Sequence, residues 1–209
     1  MRIATHLQAL RRAMLLCALT VAWNMTVGTA AVATAIASGS LALIGFGLNA
    51  VVDSSASAIL VWRFRAQSSG QVERAARAER LALRVAAMAF VLIALYLAIQ
   101  ATRSLNSSSH PRATAFGIAE AAASLLLLPF LAGAKHTLAR RLGSRALRAD
   151  SLLTWSGTAL SGAALIALVL RRALGWWWAD PVAALAIAVV LVDQGRRTLR
   201  TLPALSPAP

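Results

Sequence analysis

Six apolar runs of about 20 residues recur along this chain of 209 residues, and no other feature constrains its fold as strongly. About 20 apolar residues is the length a helix needs to cross the hydrocarbon core of a bilayer. Lipid offers no partner for backbone N–H and C=O groups, so such runs must bond within themselves as helices. The runs are Met14 to Ile36, Leu41 to Trp62, Ala82 to Ala101, Ala113 to Ala134, Asp150 to Leu170 and Trp176 to Val192. Composition agrees: 59% of residues are hydrophobic and 13% charged, whereas soluble domains carry about a quarter charged residues. The expected fold class is therefore all-α, a polytopic membrane protein with six transmembrane helices.

Charge then orients the helices, because Lys and Arg accumulate in cytoplasmic loops. With the N-terminus inside, the cytoplasmic segments hold 17 of the 21 basic residues, Lys135 among them in the loop after the fourth run. The far side keeps only Arg103, Arg112, Arg171 and Arg172. Both termini are expected in the cytoplasm. This distribution also accounts for the net charge of +14 without nucleic acid, since the basic residues flank apolar helices and no aromatic stacking platform lies among them. The basic loops read as topology determinants that also touch the lipid bilayer's anionic headgroups. A cleaved secretory leader is a rival reading of the first run, but the apolar stretch continues past Ala33, and losing one span would upset the sided charge.

Residues 1–200 read as one six-helix domain and 201–209 as a short cytoplasmic tail with no soluble C-terminal domain. The Gln67 to Arg80 stretch is a polar connector or an extension of the third helix, and Leu105 to Arg112 an outer loop. The lone Cys17 excludes an intramolecular disulfide and a cysteine metal cluster. His6, His110 and His136 are not paired at metal-ligand spacing and read as loop residues. Trp176, Trp177 and Trp178 suit an interfacial anchor, and Asp180 beside Pro181 suits a cap on the sixth helix. Asp193 is expected to be solvated or paired with Arg196 or Arg197. The small residues Gly157, Ala159, Ser161 and Gly162 allow close helix packing.

Chemistry is concentrated at Asn49 and Asp53, one helical turn apart inside the second run. A carboxylate at that depth costs several kcal/mol, about 2.5–3.5 on insertion scales, unless it faces a cavity or a partner. Asn49 has two open readings, a ligand or an interhelical hydrogen bond. Glu120, a third of the way into the fourth run, raises the same question without a motif to answer it.

The stretch Gly39-Ser-Leu-Ala-Leu-Ile-Gly-Phe-Gly-Leu-Asn-Ala-Val-Val-Asp53 resembles the second helix of cation diffusion facilitator (cation efflux) transporters. Leu147-Arg-Ala-Asp150 followed by Gly175-Trp-Trp-Trp-Ala-Asp-Pro181 is similar to their fifth helix and the start of their sixth. The resemblance implies a homodimeric six-helix domain in a bacterial inner membrane that exports divalent cations such as zinc in exchange for protons. It also implies a metal site of two residues on the second helix and two on the fifth. The second-helix pair falls on Asn49 and Asp53, but the fifth-helix pair falls on Leu153 and Gly157, which offer no side-chain ligand. Asp150 and Thr154, on the same helical stripe, can supply oxygens in their place. The expected metal site is thus Asn49, Asp53, Asp150 and Thr154. For Asp150, capping of the fifth helix or pairing with Arg145 or Arg148 stands as the alternative.

Two functions follow: a proton-coupled secondary transporter of divalent cations working by alternating access, or a non-transporting relative acting as a scaffold or partner-binding protein. Retained Asp53 favours the first and the replaced fifth-helix ligands the second. No nucleophile and base pair, phosphate-cradling Gly loop or metalloprotease helix is present, so the chain does not read as an enzyme, and no cofactor is expected.

Overall fold

A computed structural model describes residues 2–68, 72–106 and 114–201. These form six helices: α1 (Arg2–Ser38), α2 (Leu41–Ser68), α3 (Val72–Asn106), α4 (Ala115–Leu142), α5 (Arg145–Leu174) and α6 (Ala179–Thr201). No strand occurs among the described residues. His110, most of the outer loop and the tail from 202 onward lie outside them, as does the side chain of His6.

The helices run past the apolar stretches that predict them. The start of α3 at Val72 resolves the polar stretch before it in favour of a helical extension. The α4 helix continues eight residues beyond Ala134, so Lys135 and His136 are helical and not in a loop. That continuation is possible because nothing before Gly143 breaks the helix. Gly143 ends it in a left-handed conformation (φ 61°) with its N–H on the carbonyls of Ala139 and Arg140. Gly175, at φ 69°, ends α5 in the same manner.

By length and composition α1 to α5 each qualify to cross a membrane. In α6 the apolar stretch between Asp180 and Asp193 is only 12 residues, about 18 Å of helix, so the sixth expected run forms its helix but falls short of that standard. Large apolar side chains stand exposed on the outside of the bundle, including Ile36 (74%), Leu126 (70%), Phe130 (76%) and Val189 (70%). Such surface suits lipid and not water.

Packing pairs α1 with α2, α4 with α5 and α3 with α6 most extensively. At the glycines the closest approach to another helix's backbone joins α1 and α2. A Cβ on Gly47 would sit 2.9 Å from the Gly28 carbonyl oxygen, and one on Gly28 would sit 2.9 Å from Ala50 Cβ. By contrast, a Cβ at Gly157 or Gly162 would meet only ordinary contacts, 3.5 Å to Leu128 and 3.6 Å to Leu125. The close packing expected of the fifth-helix small residues is therefore found between the first two helices.

Two apolar clusters fill the interior. The larger gathers Leu43, Phe46, Phe90, Leu97, Leu160 and Ile187 with their neighbours. The smaller gathers Ala13, Cys17, Leu60, Ala139 and Leu147. Along α2 the first cluster ends at Val52 and the second resumes at Leu60, and along α5 the gap lies between Leu147 and Leu160. Polar side chains meet in that gap.

Candidate cation site

Helical periodicity builds the site, because residues four apart share a face. Asn49, Asp53 and Ser57 form one inward stripe on α2, Asp150 and Thr154 another on α5, and all five are nearly inaccessible. Facing them, α1 contributes Cys17 and Asn24 and α4 contributes Lys135, each also buried.

Lys135 ties the cluster together. Its Nζ lies 2.6 Å from Asp150 Oδ2 and donates to Ser57 Oγ and Thr154 Oγ1, each at 3.1 Å. Three partners match the three N–H donors of an ammonium group. The placement corrects the sequence expectation of a cytoplasmic, solvated lysine: Lys135 is 0% exposed. Burial of a charge is costly unless it is paired and hydrogen-bonded, and here both conditions hold.

Both oxygens of Asp150 are engaged. Oδ1 accepts from Ser57 Oγ at 2.7 Å, and Oδ2 faces the Lys135 ammonium with the Cys17 thiol at 3.8 Å. The observed charge partner of Asp150 is thus on the neighbouring helix α4, and Arg148 is exposed. Asp53 differs. Its Oδ2 accepts from Asn24 Nδ2 at 2.8 Å, and the Thr154 hydroxyl lies 3.5 Å away. That hydroxyl has one proton, and its nearer acceptor is the backbone carbonyl of Asp150 at 3.1 Å. Asp53 Oδ1 and Asn49 Oδ1 are buried with no hydrogen-bond donor among the described residues.

Of the four expected ligands, the structure joins Asp150 and Thr154 through Lys135 and leaves Asp53 Oδ2 3.5 Å from the Thr154 hydroxyl. Asn49 lies a turn away, its Nδ2 3.6 Å from where a Gly157 side chain would begin. Leu153 packs against the larger apolar cluster and lines a separate cleft between α5 and α6. No group of three His, Cys, Asp or Glu among the described residues is placed to hold a metal. The available donors are carboxylate, amide and hydroxyl oxygens, which suit hard cations.

This is a buried polar cluster of two carboxylates and a lysine inside a membrane-type bundle, and the whole-chain comparisons give its family. Residues 17–202 match the family model of the cation efflux transmembrane domain. The chain belongs to the cation efflux family. Relatives of this domain include Transmembrane protein 163 of Xenopus laevis, 26% identical over 87% of this chain and 64% of that protein. A cation-efflux pump FieF of Shewanella oneidensis is 35% identical over 60% of this chain and 44% of its own length. The FieF of Serratia proteamaculans is 31% identical over 76% and 54%. The chain therefore spans about half to two thirds of the length of these relatives. Membership in a transporter family agrees with the reading against an enzyme.

Sequence reasoning missed Lys135, Asn24 and Ser57 in the cation efflux domain. For Lys135 a signal existed: Glu120, Ser124, Leu128, Leu131 and Lys135 follow each other at three- and four-residue steps and are all buried. Glu120 lies at the far end of that stripe, 7% exposed, with the Thr34 side chain of α1 beside its carboxyl group. His136, next to Lys135, is partly buried with its Nδ1 3.4 Å from Ser151 Oγ, so it too is not a solvated loop residue.

Two further expectations resolve outside the site. Asp180 does not cap its own helix; its carboxylate accepts from Leu41 N at 2.7 Å and from Ser40 Oγ, which places it on the first turn of α2. Asp193 pairs with Arg197 at 2.6 Å on an exposed face, as expected.

Proposed function

We propose that this chain exports divalent metal cations such as zinc across a bacterial inner membrane by alternating access, as a homodimer with both termini in the cytoplasm, in exchange for protons. The observation that carries the reading is the pair of buried acceptors without donors, Asp53 Oδ1 and Asn49 Oδ1, one turn apart on α2 in the bundle interior. A buried oxygen without a donor is costly to keep, and a cation passing between the helices supplies what both atoms lack. The relatives named as cation-efflux pumps support the same activity. Asp53, Asn49, Thr154 and Asp150 are the residues assigned to contact the ion. Metal requires deprotonated carboxylates, so its binding releases protons, which is the basis of the exchange.

A test uses proteoliposomes with an acidic interior and compares zinc, manganese and iron uptake by the wild-type protein and Asp53→Ala. Flux that falls to background in the variant is expected. Absence of flux for every ion, with both proteins folded and inserted, would sink the transport reading.

The second reading, a non-transporting scaffold, is favoured by one specific observation: Lys135 pairs with Asp150, one of the two residues assigned to replace the absent fifth-helix ligands. The flux experiment separates the two.

A further inference from the structure

Lys135 is held as a bound cation would be. The Nζ atom sits within 3.1 Å of three oxygens from two helices, Asp150 Oδ2, Ser57 Oγ and Thr154 Oγ1, and is sealed from solvent. Two of these three belong to residues assigned above to the transported ion. We propose that the Lys135 ammonium is a tethered competitor that occupies the Asp150–Thr154 half of the cation site, so that a divalent ion takes all four residues only when the lysine withdraws. The inference deepens the transport reading and rests on the same site.

Charge counting supports the competition. The two carboxylates and one ammonium carry a formal net charge of −1. A divalent ion added beside the lysine would turn the cluster to +1 inside a low-dielectric bundle, with two cations sharing one set of oxygens. With the ammonium withdrawn, the same ion neutralises both carboxylates. Like charges at such distances repel strongly where solvent is excluded.

The oxygens divide in the same way. Asp150 has no oxygen to spare, because Oδ1 serves Ser57 and Oδ2 serves the ammonium. Asp53 Oδ1 and Asn49 Oδ1 do have acceptor capacity, and they lie on the helix that Lys135 engages only through Ser57. An ion held by these two α2 oxygens must displace the lysine to gain those of α5. A lysine stem is long and flexible enough to swing its head while the stem stays in apolar surroundings. No such mobility is available to a carboxylate fixed by two partners.

The experiment measures zinc and manganese binding to the purified full chain in detergent by titration calorimetry. Wild type is compared with Lys135→Gln, Lys135→Met, Lys135→Arg and the double variant Lys135→Gln/Asp150→Asn. Removing the ammonium is expected to tighten binding at least tenfold in both Lys135→Gln and Lys135→Met. Lys135→Arg, which keeps the charge, should bind no tighter than wild type, and the double variant should lose the gain. Thermal melts give a second readout, in which added metal raises the melting temperature of Lys135→Gln and Lys135→Met more than that of wild type. Equal affinity in wild type and both uncharged variants, including no binding in any of them, overturns the proposal, as does an equal gain in Lys135→Arg. Flux lost in Asp53→Ala together with unchanged affinity in the uncharged variants would sink this inference and leave the transport reading. Tightened binding without any flux would do the reverse.

Discussion

At the residue scale, the chemistry of the chain depends on which polar atoms have partners in a water-excluded interior. The Lys135–Asp150 pair joins α4 to α5 in the gap between the apolar clusters. Breaking a buried pair by deleting one member costs about 3–5 kcal/mol, while replacing both by apolar groups is often neutral. Asp150→Leu alone should therefore lower stability by about that amount, and Lys135→Met/Asp150→Leu should recover most of it; denaturant melts in detergent measure both. Equal stability of the single and double variants would show that the pair is not coupled. Asp53 was legible in the sequence because a carboxylate inside an apolar run stands out on hydropathy alone. Asn24 was not, because a neutral amide gives little contrast and its partner lies 29 positions away on another helix. Lys135 was hidden by its neighbours: Arg140 and Arg141 follow it, and together they resemble a loop unless the residues are projected onto a helical face.

At the scale of single elements, caps define the ends and tie helices to one another. Thr114 and Ser144 cap α4 and α5 locally, accepting from Gly117 N and Leu147 N. The start of α2 also has a local cap, Ser40 Oγ accepting from Leu43 N, but its Leu41 N–H goes to a residue 139 positions downstream, Asp180. Loss of an N-cap costs about 0.5–2 kcal/mol. Asp180→Ala removes the acceptor of Leu41 N and of Ser40 Oγ, and with them the link between α2 and α6, so its effect on the melting temperature should exceed that of Thr114→Ala, which affects α4 alone. An equal effect would mean that the link between α2 and α6 contributes little. The sequence rule that Asp beside Pro marks a helix start located α6 correctly, but local rules cannot choose between two helix ends that the fold brings together. The number of helices and their order were legible for a simpler reason, since hydropathy records lipid exposure directly. The extra turns of α1, α3 and α4 were not, because a helix that continues into a polar medium no longer needs apolar residues.

At the scale of the whole molecule, the proposed orientation in the membrane rests on the sided distribution of basic residues, 16 against 4 once the buried Lys135 is set aside. In a Cys17→Ala background, Arg140→Cys should react with a membrane-impermeant maleimide only after cells are opened, and Trp176→Cys in intact cells. Both positions are solvent-accessible and lie near opposite ends of α5. The reverse labelling pattern would invert the proposed topology. The division of the interior was beyond the sequence, because it depends on which helices pair. Asp53 belongs to the α1–α2 pair and Asp150 to the α4–α5 pair.

The Gly28–Gly47 contact has a mechanical consequence for that division. Backbones locked this closely cannot slide or separate without losing their fit, so α1 and α2 behave as one stiff plank, and the Asp180 clamp fastens α6 to its end. The seam along which α4 and α5 lie against this plank is held instead by side chains, Ser57 donating to Asp150 and Lys135 to Ser57. Asp53 and Asp150 stand on opposite banks of that seam. Were one helix pair to rock against the other, as the proposed alternating access requires, the distance between these two buried carboxylates would open or shut, much as a hinge moves the jaws of a vice.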